Sequence, residues 1–346
     1  MGCKSCISPF FLLSTFVSFV FCSPTFAIGS YTYNGSIDGL REYLLGSKNA
    51  LVFIGPGRDI HLKEPLEFSG NSIEIIGAGG RIIDLSGSGI LRLNEVRSVE
   101  LSELELITSP SSPLECTDQD CSGIFVSGRE GNDLSIALKS ISVIGAGGHG
   151  IHIVADDSSV FLSSRNSSIS SAGWFLPDRD GIRVDQTGSG SINWHDKNSS
   201  FVGNGGDGVE LDEAGAGSVA VRLSGSVFEA NGAYCFGRSE EVGCLQISEQ
   251  TGFDLDDGFD IDEQGAGDVK AYLDDVTVLS NFDEGVDFDE LDSGYLYAEI
   301  KNSTILSWFD DSISLSGGGE AGDYCLLDEV ISDIATSLLD GCTSLK

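Results

Sequence analysis

The chain has 346 residues, of which 54 are Asp or Glu and 19 are Lys or Arg, giving a formal net charge of −35. This balance excludes a nucleic-acid-binding protein, because little is available to neutralise phosphates, and it excludes adhesion to anionic membranes. A polyanionic ligand would need a bridging cation or a local basic pocket, and the length suits one large domain or two average ones.

The N-terminal stretch MGCKSCISPFFLLSTFVSFVFCSPTFA has one positive charge at Lys4, an apolar run from Ile7 to Phe21, and small residues at Thr25 and Ala27. It predicts a secretory signal over 1–27, and hence a secreted protein, or a periplasmic one in a bacterium. Gly2 would suit myristoylation, but Cys6 stands where Ser or Thr is required. No later apolar run is long enough to cross a bilayer. Cys3, Cys6 and Cys22 leave with the signal; the remaining cysteines lie as local neighbours, Cys116 with Cys121, Cys235 with Cys244, and Cys325 with Cys342. Export favours disulfides among them, and the local pairing is one of 15 connectivities that six cysteines allow. The N-x-S/T sites at Asn34, Asn166, Asn198 and Asn302 matter only in a host that glycosylates.

Ser36–Leu45 places Ile37, Leu40 and Leu44 at helical spacing, which predicts a capping helix over 36–46. "NALVFIGPGRDIHLKEPLEFSGNSIEIIGAGGRIIDLSG" and "SVELSELELITS" then alternate like strands separated by turns. From there one pattern recurs: GIFVSG at Gly123, GIHIVA at Gly150, GIRVDQ at Gly181, GVELDE at Gly208, GFDIDE at Gly258 and GVDFDE at Gly285, with a degenerate SISLSG at Ser312. The steps are 27, 31, 27, 50, 27 and 27 residues, one period with two insertions. Counting from the glycine, positions +1 and +3 are apolar in every copy, while +2 and +4 are mostly polar, as in a strand with one buried face. Short turns and two further alternating runs complete each unit. With three short strands per period and no helix between them, stacking equivalent strands in parallel is the arrangement that buries every apolar column, so the expected fold is an all-β parallel β-helix with coils over 50–316. Leu327, Val330, Ile331, Ile334 and Leu338 have helical spacing and predict an amphipathic cap over 325–342. The whole of 28–346 is expected to be a single domain and a monomer.

The entry helix, the IEIIGAGG and VELSELEL strands and the coil repeats resemble the right-handed parallel β-helix superfamily of pectate lyases and polygalacturonases. The resemblance covers roughly residues 36–316. It implies a right-handed solenoid and, as a class, activity on or binding to extracellular polysaccharide. RDGIRVD at 179–185 and GDGVELD at 206–212 are similar to the polygalacturonase Asn-Thr-Asp-Gly-Ile-Asp segment, with Asp180 and Asp207 as the acidic member, and GHG at 148–150 is similar to that family's Gly-His-Gly. Here His149 precedes Asp180, whereas the family order is the reverse.

The acids fall in columns. Asp180, Asp207, Asp257, Glu284 and Asp311 occupy the position before the glycine (or before Ser312), Glu210, Asp260 and Asp287 occupy +2, Asp185, Asp212, Asp262 and Asp289 occupy +4, and Glu213, Glu263 and Glu290 occupy +5. With coils about 4.8 Å apart, like charges repel by ~1 kcal/mol per pair in water and several times more near protein. Calcium bridging oxygens of adjacent coils would offset that cost, with Glu210, Asp212, Asp260, Asp262, Asp287 and Asp289 as the expected ligands. The alternative is a solvated acidic face that discourages lateral pairing of sheets. One part of the edge is chemically mixed, where His149, His152, Arg179, Asp180, Arg183 and Asp185 precede the purely acidic run. Loops at 174–179 and 234–253 should wall this groove and bring Trp174 and Tyr234 near as sugar platforms. A lyase would use a cation with Arg183 or His149 as base; a hydrolase would use Asp180 with Asp207 or Asp212. The rival is a calcium- or glycan-binding solenoid with no catalysis.

Overall fold

The computed structural model of the protein describes residues 29–108, 121–173, 178–236, 255–308, 311–318, 323–332 and 343–345. The expected signal over 1–27 lies outside them, as do Trp174, Cys116, Cys244, Cys342 and most of the loop at 234–253. Cys121, Cys235 and Cys325 are disulfide-bonded.

Chain entry is made by α1 (Ile37–Gly46), whose first turn is closed by the Ser36 hydroxyl accepting from the Gly39 N–H at 3.1 Å. Leu40 and Leu44 are buried on the face that packs on Leu66–Ser69. The chain then coils through parallel β ladders, as the repeat predicts. One ladder is a nine-stranded sheet: β1 (Leu66–Ser69), β2 (Leu91–Val96), β3 (Ile124–Gly128), β4 (Ile151–Asp156), β5 (Ile182–Gly188), β6 (Val209–Gly215), β7 (Phe259–Gly265), β8 (Val286–Glu290) and β9 (Ile313–Ser316). Each strand pairs in parallel with the next, and the repeat positions fall opposite one another, so that Ile182, Val209, Phe259 and Val286 form one column. A second ladder stacks Leu134–Lys139, Val160–Arg165, Ile192–Lys197, Val219–Ser224, Val269–Asp274, Leu296–Lys301 and Tyr324–Asp328. A third stacks shorter strands such as Ser200–Val202 and Val227–Glu229.

The interior is a continuous apolar column. Trp194, Phe201, Phe228, Phe259 and Phe288 are fully buried, and their rings meet stacked or edge-on at 5.0–5.7 Å. Buried polar groups are stacked inside it too. Asn204, Asn231 and Asn281, all 0% exposed, form a ladder. The Asn231 and Asn281 side-chain carbonyls each accept from the preceding asparagine's amide side chain at 2.9 Å and from its backbone N–H at 3.0–3.2 Å. Removing the middle rung leaves buried donors of Asn204 without acceptors, at ~1–3 kcal/mol each. Asn231→Ala is therefore expected to lose at least about 2 kcal/mol in a urea melt; a loss under ~0.5 kcal/mol would mean that water replaces the amide without cost.

The N-x-S/T sites also have a structural cause. Asn166, Asn198 and Asn302 have φ of 49°, 57° and 49° and occupy the turn after the second-ladder strand, where Ser140, Gly225 and Asp275 stand in other coils, also with positive φ. Asparagine tolerates this left-handed conformation better than most residues, and the serines that follow, such as Ser167, Ser199 and Ser303, are buried. Turn chemistry alone produces the sequence N-S-S or N-S-T there.

The C-terminal cap departs from expectation. Tyr324–Asp328 is a strand that pairs with Leu296–Lys301 and points Cys325 and Leu327 inward. An open ladder edge next to a period-two apolar pattern takes the chain as strand in spite of its helical spacing. Residues 333–342, the rest of that expected helix, lie outside the described residues.

Candidate acidic site on the nine-stranded ladder

The residue before each repeat glycine sits where the chain turns into the strand, and its side chain serves the next coil. Asp180 Oδ1 accepts from the Asp207 N–H at 3.0 Å, Asp207 Oδ1 accepts from the Asp257 N–H, and Asp257 Oδ1 accepts from the Glu284 N–H at 2.8 Å. His149 occupies the same column. Its Nδ1 lies 3.1 Å from the Asp180 backbone nitrogen and 3.0 Å from Asp180 Oδ2, so it is committed to Asp180 whether it accepts from the first or donates to the second. His149, Asp180 and Asp207 are buried at 2%, 0% and 8% exposure, which makes them coil-to-coil fastenings before anything else.

Arg183, at +2 of β5, is the centre of the mixed patch. Its Nε donates to Asp185 Oδ1 at 2.8 Å, its Nη1 donates to Glu210 Oε2 and to Asp178 Oδ1 at 3.3 Å, and its Nη2 donates to Asp212 Oδ2. Asp180 Oδ2 lies 3.7 Å from Nη1. Desolvation works against the guanidinium, but Glu210, Asp180, Asp212 and Asp185 more than reverse it, so Arg183 stays charged. In this arrangement Arg183 serves as the counter-ion of the surrounding carboxylates. His152 is tied as well, with Nε2 at 2.6 Å from Asp185 Oδ2 and its ring 4.9 Å from that of His149.

Along the ladder, carboxylates of adjacent coils also approach one another. Among the described residues three groups bring carboxylate oxygens within 4.8 Å of one another: Asp178, Asp180 and Glu210; Asp207, Glu210 and Asp260; Asp257, Asp260 and Asp287. Glu210 and Asp260 each belong to two groups, so the groups step along the stack as a chain. The sequence places Glu210, Asp260 and Asp287 in such a site, and the structure joins them to the column before the glycine. It does not group them with Asp212, Asp262 and Asp289 at +4. Asp212 pairs with Arg183, and Asp262 and Asp289 are half-buried. A cavity of about 160 Å³ is lined by Asp178, Arg183, Asp207, Glu210, Leu255, Asp256 and Asp260. Tyr234 is not a sugar platform on its wall: it is 7% exposed and packs with Cys235 and Phe282.

The electrostatics divide the acids into two sets. Burial pushes Asp207 and Glu210 well above the usual carboxylate range, and the nearby Asp180 adds to it. Burial likewise lifts Asp257, with Asp207 beside it. Asp212 is raised to about 7 by burial, against the pull of Arg183. Burial would raise Asp180 and Asp185 too, but His149 and Arg183 hold Asp180 low, and His152 and Arg183 hold Asp185 at about 2.

The +5 column lies elsewhere than the acidic edge, because period two turns +5 inward with +1 and +3. Gln186, Glu213, Glu263 and Glu290 are 0–1% exposed. Glu213 Oε1 and Glu263 Oε1 accept from the Gly217 and Gly267 N–H groups at 3.0 and 2.9 Å and so tie the AGAG and QGAG turns. These turns need glycine, since a Cβ on Gly217 or Gly267 would lie 1.6 Å from a carbonyl oxygen of the preceding coil. Burial, then the neighbouring Glu213, lifts Glu263 to about 8.

Sequence spacing is blind to the part played by the column before the glycine. The N–H that each side chain accepts comes from the next coil, and only the recurrence of an acceptor residue type before the glycine hints at it. Comparison with known proteins finds no family model, no curated protein and no solved structure that matches the chain.

Proposed function

We propose that this protein is an extracellular, right-handed β-solenoid whose acidic ladder binds hard divalent cations, calcium first, and which serves as a glycan-binding scaffold. The observation that carries the reading is the chain of carboxylate groups with shared members, each spanning adjacent coils. All donors are oxygens, which suits calcium, magnesium or manganese over softer ions, and the irregular spacing suits the flexible coordination of calcium. A bound cation would also favour the ionised forms of Asp207, Glu210 and Asp257, against the burial and the neighbouring carboxylates that raise their proton affinity. Right-handed winding follows the rule for parallel crossovers; export and locally paired disulfides fit the N-terminal stretch and the cysteine spacing.

A second reading, a glycoside hydrolase, is favoured by one observation: burial raises the proton affinity of Asp207 and Glu210, which line a small cavity, while His149 and Arg183 lower that of the neighbouring Asp180, the direction of difference that an acid and a base require. Against it stand the backbone N–H groups already held by Asp180 and Asp207 and the clamped Arg183. Incubation with uronate-rich and neutral polysaccharides, with calcium or with chelator, separates the two. The scaffold reading expects no new reducing ends or unsaturated products, and a melting temperature that falls when chelator is added. Turnover that disappears in Asp207→Asn while the fold is retained would establish the hydrolase.

A further inference from the structure

The second ladder carries a surface of opposite sign. Lys139, Arg165 and Lys197 are paired positions of successive coils, and His195 and Arg222 pair two residues earlier on the same face. All five side chains are exposed, and among the described residues none makes an ion pair. Arg81, Lys270 and Lys301, by contrast, each lie beside a carboxylate. The five line one groove of about 520 Å³. Its acids are Glu100, at the Lys139 end, and Asp196, which is 4% exposed and occupied by the hydroxyls of Ser164 and Ser226 and the Ser199 N–H. Partial burial, then the Arg222 charge, lowers the proton affinity of His195. Phe161, on the same face as Arg165, is 44% exposed, and the Arg222 guanidinium lies 4.2 Å from the Tyr272 ring centroid.

In a chain of net charge −35, rare cations should be scattered among the acids that attract them. Here five basic side chains gather in a single concavity, none of them in an ion pair among the described residues, although Glu299 lies near enough to Arg222 to feel its charge. Their repeat along the solenoid is the coil step of ~4.8 Å, which is of the order of one sugar unit in an extended polysaccharide. A duplex carries a charge every ~1.7 Å along its axis, and most of its charge would lie outside the cation column, facing an acidic molecule. We infer that this groove binds a linear anionic polysaccharide, with carboxylate or sulfate groups spaced along the Lys139–Arg165–Lys197 column. The inference rests on the glycan-binding part of the function proposed above and is independent of the cations on the acidic ladder.

The test is titration of the purified protein, with chelator present throughout, with polygalacturonate, dextran sulfate, uncharged dextran and a single-stranded oligonucleotide. Binding of polygalacturonate or dextran sulfate but not dextran is expected at about 20 mM salt, weakening steeply by about 500 mM; which of the two binds tighter tells carboxylate from sulfate. Arg165→Glu with Lys197→Glu should weaken that binding at least about tenfold. Lys139→Gln with Lys197→Gln serves as the milder pair if the reversed one melts early. Glu42→Gln, exposed on α1 away from both ladders, should bind as the parent does. Equal binding by both basic-column variants, equal binding of dextran, no anionic glycan bound at low salt, or tighter binding of the oligonucleotide would each overturn the inference.

Discussion

Arg183→Ala is expected to destabilise the protein by about 3–5 kcal/mol, the cost of leaving a buried charge network without its counter-ion. The guanidinium touches Asp178, Asp185, Glu210 and Asp212 and lies near Asp180, and its own side chain is only 19% exposed. At an effective dielectric of ~20, each carboxylate pair left facing another at ~4 Å would repel by about 4 kcal/mol. Proton uptake by Glu210 and Asp212 limits the total. Arg183→Lys should fall between parent and alanine, because one ammonium cannot engage several carboxylates through a planar fork. Denaturant melts at neutral pH measure both, and a loss under ~1 kcal/mol for the alanine variant would show that solvent already screens the patch.

The protein stripped of divalent ions should be more stable at mildly acidic pH than at pH 8, the reverse of ordinary acid denaturation. Asp212 and Glu263 have folded-state pKa values of about 7 and about 8, above the ordinary 3.8 and 4.5 of exposed carboxyls. The folded state thus holds protons that the unfolded state has released, and stability is lost as pH rises from about 4 through 7 and 8. Each tenfold gain in proton affinity on folding corresponds to roughly 1.4 kcal/mol, so the fall amounts to several kcal/mol before relaxation. Asp185, held at about 2, acts the other way: its contribution is complete above the unfolded value and disappears only as pH falls through about 2. The metal-free stability curve should therefore peak near about pH 4–6. Glu263→Gln should flatten its alkaline limb, because the amide keeps an acceptor for the Gly267 N–H without a charge to bury. A curve that is flat or rising from about pH 5 to 8 would contradict this linkage.

These effects show what spacing in the sequence conveys and what it does not. The coil period and the inward residues at +1 and +3 are legible because strand parity is a local property: Ile182 and Val184 face the core for the same reason as Phe259 and Ile261. That rule also places Glu213 and Glu263 inside, but their charge suggests the surface, and only the glycine turns that they bond explain their burial. Asp180 and Asp207 look like a catalytic pair because an Asp-Gly step is a familiar motif; the structure spends one oxygen of each on an N–H 27 or 50 residues further along the chain. The Asn204–Asn231–Asn281 ladder is hidden for a related reason. An isolated asparagine before a turn reads as turn chemistry, and only stacking three of them in the interior reveals a buried network. At the C-terminal end, Leu327 and Ile331 suit a helix, yet an unpaired ladder edge captures the segment as strand, and the Ile331 N–H donates to the Ser303 carbonyl.

The central claim is that the stacked carboxylates form cation sites. Calorimetric titration of chelator-treated protein with calcium at about pH 7.5 tests it most directly. Saturable binding with release of protons and a higher melting temperature is the predicted result. Asp260→Asn, which removes a ligand common to two of the three groups, should weaken binding more than Asp262→Asn, which removes none. Absence of binding heat together with an unchanged melting temperature, or indistinguishable titrations for the two variants, would contradict the claim.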